Sequence, residues 1–247
     1  MRRDRHRRRA AETVRRKVRE CLERTGHPRP GSKIVVAMSG GKDSFATAYG
    51  LVELSEEEDW KVIGAHVIVE TEAGEIEARD VVEEQAELLG IDVHVLKPSK
   101  TVEEAAEEMK ARKPCYACRT LRRIELGRFS EDICADYIAL GHTLDDAAAT
   151  VILSLLTGAP RIKVLGYVGS GRRPLLLRPL VRCPEEITEE LVNEVGVDTV
   201  ATEEVCPYRS GEDLRDVVSD FLDEVERRIP TVKGNVVGTA LRTISGR

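Results

Sequence analysis

The chain contains 247 residues, of which 41% are hydrophobic and 33% are charged, a composition typical of a soluble globular protein. No apolar run approaches the roughly 20 residues that a membrane-spanning helix needs, and the basic N-terminus is the opposite of a secretory signal. These features exclude a membrane protein and predict a cytoplasmic location. The formal net charge of −6 also argues against a nucleic-acid binder, unless positive charge is concentrated in one region.

Such a region exists at the N-terminus, where residues 1–30 form a basic arm that is rich in arginine between Arg2 and Arg19. This block could contact the phosphates of a nucleic acid, or it could remain a solvated arm. The apolar side chains of Val14, Val18 and Leu22 recur at helical spacing. The second half of the arm is therefore predicted to be a helix that packs on the rest of the protein.

A predicted strand, a glycine-rich turn and a helix follow. The apolar run Ile34–Ala37 predicts a short buried strand, and the next helix should begin near Asp43 or Ser44. The glycine turn between them comprises Ser39, Gly40, Gly41, Lys42, Asp43 and Ser44. Its glycines would let backbone N–H groups close on a phosphate, while its lysine and its two hydroxyls would supply further donors. An aspartate follows the lysine, so the turn is not a Walker A loop. It resembles the signature of the PP-loop ATP pyrophosphatases.

Farther along the chain, apolar strands alternate with amphipathic helices. Strands are predicted at 62–67, 91–95 and 137–140, and helices at about 75–89, at 102–110 and toward Phe129. The alternation predicts a doubly wound parallel α/β sheet over residues 31–180, and the turn signature implies the adenine nucleotide alpha-hydrolase-like, or PP-loop, fold. Ligands of such sheets bind beyond the carboxyl ends of the strands. The glycine turn, His66, Gly141 and His142 are therefore predicted to surround one crevice.

Two acidic residues, Asp145 and Asp146, open the helix that follows the fourth predicted strand. They could simply cap that helix. Beside a triphosphate, their carboxylates and that of Asp43 could instead hold Mg²⁺, which prefers oxygen ligands. We favour the functional interpretation, because the pair falls at a predicted ligand-binding edge.

Six cysteines in a protein expected in the cytoplasm are unlikely to form a disulfide framework. Cys115 and Cys118 form a Cys-x-x-Cys motif, which by itself leaves zinc, a redox dithiol and iron–sulfur open. Cys206 lies in a loop of the C-terminal helical segment, residues 181–247, and is a candidate third thiolate. Three thiolates would leave one iron of a 4Fe–4S cluster open. The remaining cysteines are predicted to be packing residues: Cys21, Cys134 and Cys183.

Taken in order, these motifs resemble those of the tRNA 2-thiolation enzymes of the TtcA/TtuA type, from about Lys33 to the last helix. The resemblance rests on the following stretches: Ser39–Ser44, Pro114–Cys118, Arg122–Arg123, Gly141–Asp146, Arg178–Leu180 with Glu185–Glu186, and Cys206–Tyr208. Thr143 and Ala147 depart from it, because the family usually has Asn and Glu there. The arginine pair looks more like the TtcA branch, which modifies an anticodon-loop cytidine.

The resemblance implies an ATP-dependent tRNA sulfurtransferase. ATP would adenylate the 2-oxo group of a pyrimidine with release of pyrophosphate, and sulfur carried by a 4Fe–4S cluster would then displace AMP. The implied catalytic residues are Lys42, Asp145 and Asp146, with Cys115, Cys118 and Cys206 as the cluster ligands. The implied partners are tRNA and a sulfur donor, which could be sulfide, a sulfur-carrier protein or a cysteine desulfurase. Whether the chain forms a homodimer stays open.

Two other functions are compatible with the same motifs. A cluster-free PP-loop enzyme, similar to a tRNA lysidine synthase or an amidotransferase-like ligase, would adenylate its substrate without using the three cysteines together. An adenine-nucleotide sensor would bind ATP without releasing pyrophosphate. An iron and sulfide assay separates the first alternative from the thiolation enzyme, and pyrophosphate release separates the second.

Overall fold

The computed structural model describes residues 9–158, 174–208 and 213–244. Arg2 to Arg8 of the basic arm therefore lie outside the described residues. The helices are α1 (Arg9–Thr25), α2 (Lys42–Glu58), α3 (Arg79–Leu89), α4 (Val102–Glu108), α5 (Pro114–Asp132), α6 (Leu144–Leu156), α7 (Glu185–Val195), α8 (Thr202–Val205), α9 (Leu214–Glu226) and α10 (Val232–Ile244). The strands are β1 (Lys33–Ala37), β2 (Lys61–Val67), β3 (Val69–Thr71), β4 (Gly74–Ile76), β5 (Val93–Leu96), β6 (Tyr137–Ala139) and β7 (Leu175–Leu177).

The central sheet has the strand order β5-β2-β1-β6-β7, and every neighbouring pair is parallel. At its centre, Val35 of β1 lies opposite Ile63 on one side and Ile138 on the other. The predicted doubly wound parallel sheet is therefore confirmed. Its carboxyl-end edge carries the residues that follow β1, β2, β6 and β7, so the glycine turn, Gly141 and His142 lie at the same edge.

Alternating side chains of β1 enter two different apolar cores, as the pleat of a strand requires. Ile34 and Val36 pack in the first core with Phe45 and other residues of α2. Val35 packs in the second core, where Leu121 and neighbouring residues of α5 cover the opposite face. A third core joins α6 to α9 and α10. The C-terminal helices therefore pack on the helix that Asp145 and Asp146 begin.

The helix predicted from Glu75 to Leu89 is wrong at its start. Val69 and Ile76 pair across an antiparallel hairpin formed by β3 and β4, and α3 begins only at Arg79. The thiol of Cys134 is also exposed in a turn with φ of 52°, so its prediction as a packing residue is wrong. No helix in the described ranges is both long and apolar enough to cross a membrane.

Candidate functional site

The glycine turn runs closely against two other parts of the chain. Gly40 has φ of +84°, a left-handed conformation that favours glycine, and a Cβ there would lie 2.8 Å from the Cβ of Ala78. Gly141, after β6, approaches the turn from the other side, since a Cβ there would lie 2.9 Å from backbone atoms of Asp43 and Ser44. The backbones at the ends of β1 and β6 are therefore in direct contact.

Two hydroxyls predicted to bind phosphate also hold the glycine turn in shape. Ser44 Oγ donates to the carbonyl oxygen of Gly41 at 2.8 Å and accepts from the backbone N–H of Ser39 at 3.1 Å. The hydroxyl oxygens of Ser39 and Ser44 are 3.2 Å apart. These contacts fix the path of the chain into α2, whose N-terminus carries the positive end of the helix dipole.

Lys42 and Asp43, the charged residues of the turn, contact the first turn of α7. The ammonium of Lys42 forms an ion pair with Glu185 and lies 3.6 Å from Asp43 Oδ2. Thr188 Oγ1 donates to Asp43 Oδ1 at 2.6 Å. Burial raises the pKa of Asp43 to about 6, although Thr188 and Lys42 act in the opposite direction. Burial lowers the pKa of Lys42, but Glu185 and Asp43 outweigh it and the net change is upward.

Both carboxylate oxygens of Asp145 have partners. Asp145 Oδ2 accepts from the backbone N–H of Glu185 at 2.7 Å, so this side chain caps α7. Asp145 Oδ1 accepts from the ammonium of Lys233 at 2.5 Å. Lys233, on α10, also binds Asp223 at 2.6 Å and Glu226 at 2.8 Å. A buried cation therefore occupies the centre of this carboxylate group.

Asp146 is also engaged on both oxygens. Asp146 Oδ2 accepts from the backbone N–H of Thr143 at 3.1 Å, completing a capping box at the start of α6. Its Oδ1 accepts from Arg215 Nη2 at 2.8 Å. The capping role considered from the sequence is therefore present, and Mg²⁺ at Asp145 or Asp146 would have to displace these partners.

The two predicted histidines lie in different surroundings. His66 is buried, with Nδ1 at 2.8 Å from the carbonyl oxygen of Met38, while Nε2 accepts from the backbone N–H of Ala78 at 3.2 Å. Nδ1 must then carry the proton, and His66 joins the end of β1 to the start of α3. His142 keeps a buried Nδ1 that has no partner among the described residues. Burial lowers the pKa of both imidazoles, and for His142 the charge of Arg178 adds to this effect.

Cys115, Cys118 and Cys206, which we call the cysteine site, come from α5 and from the loop after α8. The side chains of Cys118 and Cys206 pack against the same apolar core. Burial raises the pKa of Cys118, Arg122 lowers it, and the thiols of Cys206 and Cys115 raise it further. Cys118 therefore lies within electrostatic range of both other thiols.

The cysteine site offers three thiols as donors. Thiolates ligate zinc as well as iron–sulfur clusters, and clusters are held by cysteine thiolates. The chemistry of these three donors therefore fits an iron–sulfur cluster. Cys21 and Cys183 are buried, which raises the pKa values of their thiols to about 11 and about 12, so these two are packing residues as predicted.

Sequence reasoning missed several residues that hold the site together: Gln85, Thr188, Arg215 and Lys233. Gln85 is fully buried and donates from Nε2 to the carbonyl oxygens of Gly40 at 3.0 Å and Asp198 at 2.9 Å. It is the only glutamine in the chain. That rarity was the one available signal, whereas the other three residues belong to polar helix faces that look ordinary in the sequence.

Comparison with known families gives a match to a family described as a PP-loop domain over residues 10–202. The tRNA-5-methyluridine(54) 2-sulfurtransferase of Pyrococcus horikoshii is 28% identical over 226 residues, which cover 90% of this chain and 71% of the relative. The tRNA-cytidine(32) 2-sulfurtransferase of Saccharophagus degradans is 30% identical over 223 residues, which cover 88% of this chain and 69% of the relative.

Among solved structures, U34-tRNA thiolase NcsA from Methanococcus maripaludis, determined with its 4Fe–4S cluster, superposes with a TM-score of 0.81. It is 27% identical, and the match covers 96% of this chain and 79% of that protein. NMN synthetase from Francisella tularensis gives a TM-score of 0.52 at 13% identity over 87% of this chain and 86% of that protein. The second likeness shows a common fold only.

Proposed function

The chain belongs to the PP-loop domain family, and on that premise we propose that it is an ATP-dependent tRNA 2-sulfurtransferase that carries a 4Fe–4S cluster. The cysteine site is the observation that supports this proposal most directly. Cys118 and Cys206 are far apart in the sequence, yet both side chains pack against the same apolar core, and the thiols of Cys206 and Cys115 both contribute to the raised pKa of Cys118. A PP-loop enzyme without a cluster would have no use for that convergence.

The residues of the glycine turn would bind and orient ATP. Backbone N–H groups at the start of α2 and the ammonium of Lys42 would neutralise the phosphates, so that the α-phosphate can be attacked by the pyrimidine oxygen. Glu185 now pairs with Lys42 and would be displaced by the nucleotide. Asp43 is the carboxylate best placed to hold Mg²⁺, because its nearest cation, Lys42, is 3.6 Å away, whereas Asp145 and Asp146 bind Lys233 and Arg215 at 2.5 Å and 2.8 Å.

The cysteine site would receive the sulfur. Cys115, Cys118 and Cys206 would hold a cluster with one iron free of protein ligands, and such a cluster would supply the sulfur that replaces the adenylated oxygen as AMP leaves. Burial raises the pKa of Cys118, and Arg122, which acts in the opposite direction, would favour the thiolate form needed for ligation. His142, whose buried Nδ1 has no partner among the described residues, follows β6 at the same edge of the sheet.

The base that accepts the sulfur is a finer proposal. The relatives act, by their names, on cytidine 32 and 5-methyluridine 54, and the structural neighbour acts on U34. Positions 32 and 34 both lie in the anticodon loop. With the arginine pair Arg122–Arg123 as further support, we propose an anticodon-loop pyrimidine, and cytidine is the first base to test.

The test uses protein purified and reconstituted without oxygen, then incubated with unmodified tRNA, ATP and sulfide. We expect a 2-thiolated pyrimidine by nucleoside mass spectrometry, with one AMP and one pyrophosphate released per sulfur. Cys206→Ser should abolish thiolation, because it removes one cluster ligand. The matched control Cys134→Ser changes an exposed cysteine outside the cysteine site and should retain full activity.

Three outcomes would contradict the proposal. An iron-free protein that still consumes ATP on tRNA would favour the cluster-free PP-loop enzyme. ATP binding without pyrophosphate release would favour the nucleotide sensor. Full thiolation by Cys206→Ser would show that the cysteine site has another role.

A further inference from the structure

The segment around the Cys-x-x-Cys motif carries a high density of positive charge. Between Glu108 and Glu125 the sequence has no acidic residue, although the whole chain has a net charge of −6. Five basic side chains in this interval are exposed: Lys110, Arg112, Lys113, Arg119 and Arg123. None of the five forms an ion pair with another described residue. This concentration of unneutralised charge indicates an anionic partner.

The basic arm shows the opposite behaviour where it is described. Arg15 binds Glu57 at 2.9 Å, and Arg19 binds Glu57 at 2.5 Å and Glu58 at 3.0 Å. These ion pairs hold α1 against the end of α2 and leave less charge for an external anion. The arginines that looked best suited to RNA in the sequence are therefore partly neutralised within the fold, whereas those near the cysteine site are not.

An aromatic side chain lies in the middle of the unneutralised charge. Tyr116 directly follows Cys115 and is 61% exposed, in a chain with only 4% aromatic residues. Tyr116, Arg119 and Arg123 have the i, i+3, i+7 spacing that places side chains on one face of a helix. We call this set, together with Arg112 and Lys113 just before the start of α5, the α5 basic face. An exposed aromatic ring between cations is the combination that binds single-stranded nucleic acid.

We propose that the α5 basic face binds a single-stranded segment of RNA, with Tyr116 stacked on one base and Arg119 and Arg123 on the adjoining phosphates. The inference rests on the proposed function and deepens it, because it names the surface that would hold the strand beside the cysteine site. Stacking tolerates any base. Tyr116 would therefore position the strand, while other groups select the pyrimidine.

The first test makes stacking visible with Tyr116→Trp. The only natural tryptophan, Trp60, is 7% exposed, so the new indole is the one that RNA can reach. We expect a 12-nucleotide single-stranded RNA to quench the fluorescence of this variant, while a duplex of the same sequence leaves it unchanged, because paired bases cannot stack on the ring. The inference is overturned if the single strand leaves the fluorescence unchanged or if the duplex quenches it equally.

The second test measures affinity for an unmodified tRNA transcript as a function of salt. Tyr116→Ala should weaken binding by about 5- to 100-fold, and Tyr116→Phe should restore it, because phenylalanine also stacks. Arg119→Ala and Arg123→Ala should each reduce the slope of log affinity against log salt by about 0.7. Phe221→Ala, which removes a 57% exposed aromatic ring on α9, and Arg15→Ala are the matched controls. Equal losses in the controls would contradict the inference.

Failure of this inference can be told from failure of the proposed function. If Tyr116→Ala binds tRNA like the parent while the parent thiolates tRNA, the proposed RNA binding by the α5 basic face is wrong and the proposed thiolation is supported. If single-stranded RNA quenches the fluorescence of the Tyr116→Trp variant but the parent forms no thiolated nucleoside, RNA binding by the α5 basic face is supported and the proposed thiolation is wrong. Iron content and absorption of each variant show that the neighbouring cysteines still hold their cluster.

Discussion

At the scale of single residues, burial changes the acid–base chemistry of Asp43 in the glycine turn. Its side chain is only 26% exposed, and burial raises its pKa from 3.8 to about 6 despite the nearby Lys42 ammonium. The folded protein therefore binds this proton more tightly than the unfolded chain does. Between about pH 4 and 6 the folded state holds more protons, so the contribution of Asp43 to the free energy of unfolding falls as the pH rises.

Asp43→Asn should remove this penalty. Asparagine still accepts a hydrogen bond from Thr188 but carries no charge, so we expect the free energy of unfolding at pH 7.5 to rise by about 1–2 kcal/mol. At pH 4 the variant and the parent should be equally stable. Urea unfolding at both pH values checks this, with the exposed Asp80→Asn as the control. A stabilisation that is the same at both pH values would contradict the titration argument.

The residue scale also shows how far the sequence could predict the site. The glycine turn was predictable because strand, turn chemistry and helix are consecutive along the chain, so local rules apply. The partners of its charged residues could not be predicted from the sequence. Thr188 lies 145 residues from Asp43, and only the packing of α7 brings their oxygens together. No local pattern distinguishes that threonine from a solvent-facing one.

At the scale of elements, α9 and α10 do more than cover α6. Arg215 of α9 binds Asp146, and Lys233 of α10 binds Asp145. Asp145 in turn accepts from the first N–H of α7, whose Glu185 pairs with Lys42. The C-terminal helices are thereby connected by ion pairs and hydrogen bonds to the glycine turn. This arrangement predicts that a change on α10 will affect the nucleotide site.

Lys233→Met tests that connection. The side chain of Lys233 is 9% exposed and balances three carboxylates, which are 21% to 54% exposed. Removing the cation leaves those charges unbalanced, and because they are partly solvated we expect a loss of about 2 kcal/mol in the free energy of unfolding. ATP should also bind more weakly. Chemical unfolding and nucleotide titration provide the measurements, and Lys61→Met, an exposed lysine at the start of β2, provides the control.

Two further variants sharpen the result. Lys233→Arg keeps the charge and should recover part of the lost stability. Asp223→Asn combined with Lys233→Met should cost less than the sum of the single changes, because one of the unbalanced carboxylates is gone. Additive effects would show that Lys233 and Asp223 act independently, against this interpretation.

Prediction of elements succeeded where the apolar period was unambiguous and failed where it was not. The strands of the parallel sheet are short continuous apolar runs, which the sequence marks clearly. The β3–β4 hairpin was missed because the apolar pattern of α3 was extended back to Ile76, although a residue six positions before Val82 lies on a different face of a helix. Gly74 has φ of +124°, which fits the hairpin and not a helix, but the sequence alone does not reveal this conformation.

At the scale of the whole molecule, the glycine turn and the third cysteine are joined through the backbone. The carbonyl oxygen of Gly40 accepts from the N–H of Val200 at 3.1 Å and from Gln85 Nε2 at 3.0 Å. Gln85 also binds the carbonyl oxygen of Asp198 at 2.9 Å. The same segment continues through α8 to Cys206. These contacts predict that a movement of the turn on binding phosphate will reach the segment that carries this thiol.

Gln85→Leu should break this coupling with little change in volume. In the cluster-free parent, we expect ATP to slow alkylation of Cys206 by N-ethylmaleimide by about 3-fold, because an ordered turn restrains the segment through Gln85. In Gln85→Leu, nucleotide should still bind but should no longer change the rate. The carbonyl oxygen of Asp198 loses its Gln85 donor, while that of Gly40 keeps the N–H of Val200, so stability should fall by about 1–3 kcal/mol. Mass spectrometry of the alkylated peptides measures Cys206 and the exposed Cys134 together, and Cys134 should react at the same rate throughout. A rate at Cys206 that ATP does not alter in the parent, or that ATP alters equally in Gln85→Leu, would show that the glycine turn and the cysteine site work independently.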